Sequence, residues 1–496
     1  ANTGGGGGAG SASYLAPSAG DGTGYRTAGA SGGSGLVIVR YLGSNLATGG
    51  TVSSGTGWAK GYTLHTFTSS GSLTFNNTPA ATFSGVISGP GSLTASPSAG
   101  GKFTFTGNNS YSGSTTLSSG TLQVGIGATA GKLGASSAAV INNGTLIFNR
   151  SDSLTYTGAF SGTGALTVAT GGLVLNGGAT YSGNTTVSDA ASSIAFNYNT
   201  PPSTPGFSGS GSVTIAPASG STFTSAFAPN YTFASTLTSL TLGADSTTNN
   251  QALTLGSTIS IAGPVNIYGG HITLNQSVTS TAAGQGIKIK GAGNIVIAAS
   301  KSVQTNGGDI TLWADTDANG GYIYLNDGVN LDSRTNANRT ASLTSTAAGG
   351  GAITLGGGSA GTNLASGTNV PTGYAWQNTS TLTAGVLFGT ETGAGHNSNI
   401  KLYSGGGDVV VRGKSSTAYS TESHGIASYE GLNIDTGTTG SITFDGQATG
   451  TSTYSTGIYM GWRATPTTAT LLRTANGNLT MTGTASGATY NRGLAY

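Results

Sequence analysis

One short phrase recurs through the second half of the chain. It reads "GHITL" from Gly270, "GDITL" from Gly308, "GAITL" from Gly351, "GSITF" from Gly440 and "GNLTM" from Gly477. Each is a glycine, one variable residue, and then two apolar residues separated by threonine. In an extended strand, alternate residues share a face. Ile272 and Leu274, Ile310 and Leu312, Ile353 and Leu355, and Ile442 and Phe444 therefore each present one apolar face. A strand this short cannot bury that face alone, so the repeats must stack on one another. The phrases are 38, 43, 89 and 37 residues apart, which makes the third gap a double one. A unit of this length suggests two turns of a coil, with the apolar pairs forming ladders inside. At ~4.8 Å per stacked strand, ~20 turns would give an elongated rod on the order of 100 Å long.

A second signature occupies residues 45–260: "SGPGSLT" at Ser88, "SGTGALT" at Ser161 and "SGSGSVT" at Ser208. Each is followed by a tyrosine, Tyr111, Tyr181 and Tyr231. Glycine supplies the corners, alternating Leu, Thr and Val supply one-faced strands, and no helical period exceeds a turn. Residues 1–35 contain 13 glycines and run into "GGSGLVIVRYLG". There Leu36, Val37, Ile38, Val39 and Tyr41 read as one buried strand. The expected organisation is a glycine-rich head at 1–42, a first solenoid at 43–260 and a second at 261–496.

Composition excludes several classes. Charged residues are 6% of the chain, against roughly 25% in an ordinary soluble domain. The 36% of hydrophobic residues, with 20 Tyr, are too many for a disordered chain. The net charge is only +2 and no run of Lys or Arg occurs, so no nucleic-acid partner is expected. No apolar run approaches the ~20 residues of a membrane helix. The absence of cysteine excludes disulfides and thiolate metal sites, and suits export across a bacterial outer membrane. The opening "ANTGGGGG" has neither a basic start nor an apolar core, so it reads as a mature terminus from which an export signal has gone.

The stretch "GGKFTFTGNNSYSGSTTLSSGTLQVG" from Gly100 closely resembles the autotransporter-associated β-strand repeat of bacterial surface-protein passengers. The matching parts are Gly107–Tyr111, Ser112–Thr116 and Gly120–Gly125. A second copy, "NGGATYSGNTTV" from Asn176, departs after Thr186. Residues 261–360 resemble the repeats of filamentous-haemagglutinin-type exoproteins, and the head resembles glycine-rich termini of surface and fibre proteins. These resemblances imply an all-β, right-handed parallel β-helix with an extracellular, adhesive or structural role. No alternating membrane strands precede the closing "NRGLAY". The expectation is a passenger apart from its barrel, a different export route, or a fragment.

The acid-rich segment "GDITLWADTDANGGYIYLNDGVNLDSRT" holds Asp309, Asp315, Asp317, Asp327 and Asp332, five of 15 acids. Within it "DTDANG" places Asp315, Asp317 and Asn319 at alternate positions before Gly320. That is how a calcium loop begins, because alternate oxygens converge on the ion and glycine permits the turn. Asn326 stands where a bidentate glutamate belongs, so a polar corner capped by Asp and Asn is the competing reading. No cofactor is expected other than calcium at this loop. For a polysaccharide lyase or hydrolase, Asp315, Asp317 and Asp327 with Arg334 or Arg339 are the candidates. The histidines, at 65, 271, 396 and 424, are scattered. His271 occupies the repeat position that Asp309, Ala352 and Ser441 hold elsewhere, a variable outward slot. Lys288 and Lys290 lie about one turn before Asp309, close enough to pair with it. Trp58, Trp313, Trp376 and Trp462 are candidates for stacking on sugars. Asn108 and Asn184 open Asn-x-Ser/Thr triplets, which arise by chance in so Ser/Thr-rich a chain.

The reading that follows is a secreted or cell-surface structural or adhesive β-solenoid, not an enzyme, which assembles head-to-tail with itself into filaments or an extracellular biofilm matrix. The C-terminal residues are repeat-like almost to the end, and an uncapped solenoid end invites stacking. The strand Leu36–Tyr41 is the expected assembly element. The alternatives are an adhesin that binds host or matrix glycans and a β-helix enzyme acting on polysaccharides.

Overall fold

A computed structural model of the 496-residue chain describes residues 37–42, 44–45, 47–68, 74–76, 80–97, 100–246, 248, 250–340, 349–378, 382–390, 398–416, 422–429, 431–450, 453–461 and 469–496. Two compact units emerge. One is Ala1–Leu173 with Thr180–Gly183, the other Val174–Ala179 with Asn184–Tyr496. Both are built mainly from parallel strands. Among the described residues the helical content is one short turn, Asn336–Thr340, and a 3-10 turn, Gly57–Ala59.

In the second unit the chain visits three parallel sheets in turn. Leu253–Leu255, Ile259–Ile261 and Val265–Gly269 make one coil, and Ile272–Leu274, Val278–Ala283 and Ile287–Gly291 make the next. Stacking is in register. On one sheet Leu240, Val265, Ile287, Ile310, Ile353, Val409, Ile442 and Leu479 form a continuous ladder. On the second, Leu253 pairs with Ile272, Ile295, Ile323, Val386, Ile426, Ile458 and Leu494 in succession. On the third the series is Ile259, Val278, Val303, Leu331, Leu402, Ile434 and Leu472. Nearly all of these side chains are fully buried, the exceptions being those of the last coil. Full burial contributes roughly 1.5–3 kcal/mol per residue. This is a parallel β-helix, as expected.

The repeat period is corrected for part of the array. Ile310 and Ile353 are direct neighbours, as are Ile442 and Leu479, so these units of about 40 residues are one coil with long excursions, not two, whereas Val265, Ile287 and Ile310 stack at the expected half-unit spacing. One excursion contains a hairpin, Ile353–Asn363 against Asn369–Gly373. The double gap holds the intervening Val409 rung. Ile272 and Leu274 belong to a different sheet from Ile310 and Leu312, so the expected single ladder splits in two. All three sheets demand the same alternation, which is why the spelling alone does not tell them apart. Pairing also runs straight across the expected division at 260/261, from Leu242 to Ile267.

Late in this unit, glycine brings two sheets together. Gly413, Gly446 and Gly483 stack in register. A Cβ on Gly446 would sit 2.1 Å from the Gly457 carbonyl oxygen, so no other residue fits.

The first unit stacks Ala81, Phe103, Leu122 and Leu146 on one sheet and Leu93, Thr115, Val140 and Phe160 on another. Phe83 packs edge-on against Phe103 and Phe105 at 5.6 and 5.4 Å. The recurring tyrosines are core residues. Tyr111, Tyr181 and Tyr231 are all buried. The Tyr111 hydroxyl lies 2.6 Å from Thr115 Oγ1, and burial pushes its pKa up. The asparagines of "GNNSYSG" clamp coils. Asn109 Oδ1 accepts from Ile87 N–H at 2.8 Å, and its Nδ2 donates to the Lys132 carbonyl at 2.7 Å, so one side chain ties three coils.

The strand expected at Leu36–Tyr41 forms over Val37–Leu42, with Leu36 and the rest of the head outside the described residues. It is paired within its own chain, antiparallel to Tyr62–Phe67, which also pairs with Thr51–Ser54. Val39 is buried and Ile38 is 45% exposed. A hairpin-like partner so close in sequence needs little loop-closure entropy.

Candidate functional site

In the second unit the crossings between two of the sheets differ in length. The chain crosses from Leu242 to Leu253, from Gly269 to Ile272, from Gly291 to Ile295 and from Ala314 to Ile323. Two short corners, 270–271 and 292–294, thus lie between two long ones, 243–252 and 315–322. The short corners make a floor and the long ones make walls. The resulting groove has two parts that share Ala292. The larger, about 340 Å3, is lined by Asn250, His271, Asn294, Asp317, Tyr322 and Trp376 among others. The smaller, about 210 Å3, includes Asp245, Tyr268 and Lys290.

The floor is a polar ladder. His271 Nδ1 accepts from Asn294 N–H at 3.0 Å, and Asn294 Oδ1 accepts from Tyr322 N–H at 3.1 Å. A neutral His271 ring bonded in this way carries its proton on Nε2. The far wall is the "DTDANG" corner. Asp315 and Ala318 have φ of 54° and 60°, a left-handed conformation uncommon outside glycine. The buried Asp315 carboxylate accepts from Gly320 N–H at 2.6 Å, and burial pushes its pKa up to about 6. Asp317 accepts from the Asn319 backbone at 3.1 Å and from its amide at 3.0 Å. Gly320 has φ of 104°, and a Cβ there would lie 2.0 Å from Asn378 Oδ1. Asn378 Nδ2 donates to the Asn319 carbonyl and Gly321 exchanges two 2.8 Å backbone bonds with Trp376, which fastens the excursion to the corner. The Trp376 indole donates to Ser416 Oγ at 2.7 Å, and Lys414 Nζ lies 5.1 Å from its ring.

Asp315, Asp317 and Asn319 do share one corner, but the two carboxylates accept from that corner's own donors, and the Asn319 amide is one of those donors. Among the described residues no group of three or more His, Asp or Glu side chains is arranged to hold a metal. Asp327 sits on another corner, where it accepts from Thr390 N–H, Thr390 Oγ1 and Ser398 Oγ at 3.0, 2.9 and 2.9 Å. Arg334 and Arg339 converge on buried Asp332 at 2.7 and 3.1 Å. The candidate enzymatic set is therefore spread over three places. Lys290 pairs with Asp245 at 2.6 Å instead of the expected Asp309. Asp309 accepts from Ala352 N–H and Ser366 Oγ at 2.7 and 2.5 Å. Trp313 is buried, donates to the Gly358 carbonyl at 2.6 Å and has Lys290 Nζ 4.5 Å from its ring. Trp462 and the side chain of Trp58 fall outside the described residues. Sequence reasoning missed Tyr322, Asn294 and Asn378. The uneven corner lengths were the available signal.

The fold is a parallel β-helix, and two stretches of it match a repeat of transported passenger proteins. The passenger-associated-transport-repeat family model matches residues 100–124 and 170–190. The chain is also similar to the Adhesin BmaC autotransporter of Brucella suis biovar 1 (strain 1330), 42% identical over 90 residues. That match covers 18% of this chain and spans 3% of the relative's length. No solved structure matches the chain significantly.

Proposed function

We propose that the chain is part of a bacterial cell-surface adhesive protein in which the β-helix is a stiff support for contact faces, without enzymatic activity. The carrying observation is the coincidence of passenger-type repeats with an in-register parallel β-helix. The adhesin-type relative supports the same reading. The scattered placement of the candidate catalytic residues favours it over the enzyme. Beads coated with the purified chain should adhere to cultured host cells or extracellular matrix above albumin-coated beads. Equal adhesion of both would refute the reading.

A finer part of the proposal is self-assembly through the N-terminal strand. Val37–Leu42 is an outer strand of a three-stranded antiparallel sheet, and an edge strand can serve as a template for another chain. Sparse charge adds little repulsion between copies. Electron microscopy of the full chain and of a variant lacking residues 1–42 tests this. Filaments that survive the deletion, or a monodisperse full-length monomer, would end it.

A further inference from the structure

We propose that the groove over corners 270–271 and 292–294 is a binding site for a neutral oligosaccharide. This names a ligand class within the adhesive reading and rests on that reading for its biological setting. The chemistry rests on the groove alone.

Sugars are bound by flat aromatic faces against their C–H surfaces and by planar amides and carboxylates against paired hydroxyls. The larger part of the groove brings these groups together. Trp376 and Tyr322 supply rings. Asn294 and Asn378 supply amides, His271 supplies an Nε2–H donor and Asp317 supplies a carboxylate. The indole is held by its bond to Ser416 and the imidazole by Asn294 N–H. A site fixed in advance loses little side-chain entropy on binding. The volume is at the lower end of ligand-sized sites, and the smaller part extends it beyond Ala292.

Charge selects the class. No Lys or Arg lines the larger part among the described residues, and Asp317 lies in its wall. Lys290 in the smaller part is neutralised by Asp245 at 2.6 Å. Sulfated glycans and uronates would meet the Asp317 carboxylate in the wall, while Lys414, at the Trp376 ring, lies outside the lining residues. A neutral chain of hexoses or N-acetylhexosamines meets only donors, acceptors and ring faces.

The test is titration of the full chain, followed by tryptophan fluorescence and saturation-transfer NMR. The neutral probes are cellotetraose, maltotetraose, chitotetraose and lacto-N-neotetraose, and the anionic ones are polygalacturonate and heparin. At least one neutral tetrasaccharide should bind, and the anionic probes should not. Trp376→Ala should weaken binding about tenfold or more. His271→Ala, at an exposed position, should weaken it several-fold with an unchanged melting temperature, which separates ligand loss from misfolding. Absence of neutral binding, preference for heparin, or binding insensitive to both variants would overturn the proposal. Bead adhesion that persists in Trp376→Ala would remove the groove and leave the adhesive reading standing. Saccharide binding without bead adhesion would do the reverse.

Discussion

Replacing Asp332 by asparagine should weaken the coil that contains it by about 2–3 kcal/mol. The carboxylate is 1% exposed and accepts from Arg334 Nη2 at 2.7 Å, Arg334 Nε at 3.0 Å and Arg339 Nε at 3.1 Å. Removing one member of a buried ion pair costs about 3–5 kcal/mol, because the remaining charge stays buried. Here the loss is smaller for two reasons. Arg334 and Arg339 keep 13% and 24% exposure, so water can reach them. Arg339 also donates to the Asp332 and Arg334 carbonyls at 3.3 and 3.1 Å, bonds that survive the substitution. Asparagine further retains one acceptor oxygen. In a stacked array each coil depends on its neighbours, so the effect should be local. Amide hydrogen exchange of residues 330–339 should quicken by about 30- to 150-fold, with residues 100–124 unchanged. Unchanged exchange at 330–339 would show that Asp332 does not hold these arginines. Release of product from polygalacturonate by the wild-type chain, abolished by this substitution, would show that the cluster does chemistry.

Three further results are expected. Asp315 titrates near 6 in the fold against an ordinary 3.8, so the folded state holds its proton more tightly. That stabilisation is complete below about 4 and lost as pH rises through about 6. Asp315→Asn should therefore be more stable than wild type at pH 7, by up to about 3 kcal/mol, and equal to it below pH 4. A difference that does not depend on pH in denaturant melts would contradict the assignment. Asn109→Ala leaves Ile87 N–H and the Lys132 carbonyl unpaired and should cost about 2–4 kcal/mol in the first unit; a loss under about 0.5 kcal/mol would refute the clamp. EDTA should leave the melting temperature unchanged, because the Asp315 and Asp317 carboxylates are already bonded within their corner; a drop of several degrees restored by calcium would show that the corner holds the cation.

The sequence made the strand content plain because Ile-Thr-Leu alternation has one structural meaning, an inward apolar face every second residue. It did not show which strands stack. "GHITL" and "GDITL" are spelled alike, yet Ile272 and Ile310 lie on different sheets, since each of the three sheets asks for the same pattern. The "GNNSYSG" phrase suggested a corner, but the bridging by Asn109 needs the positions of the coils on either side. The groove was still less legible. Asp317 and Trp376 stood out as residue types, while His271 read as a variable outward slot. Their convergence depends on short corners lying between long ones, which only the register reveals. The Lys290–Asp245 pair was hidden for the same reason.

The one-coil repeat is tested most directly by a cysteine pair at Thr443 and Thr480. The chain has no cysteine of its own, and these residues are direct partners on neighbouring parallel strands. Neighbouring strands lie about 4.8 Å apart, within the roughly 4.4–6.8 Å between Cα atoms that a disulfide spans. Mild oxidation of the Thr443→Cys/Thr480→Cys variant should give an intramolecular cross-link, seen on a non-reducing gel. A Thr443→Cys/Thr484→Cys control, offset along the strand, should not link. If each repeat instead made two coils, the first pair would be about 9.6 Å apart. It would then stay reduced, and that result would contradict the stacking on which the whole account rests.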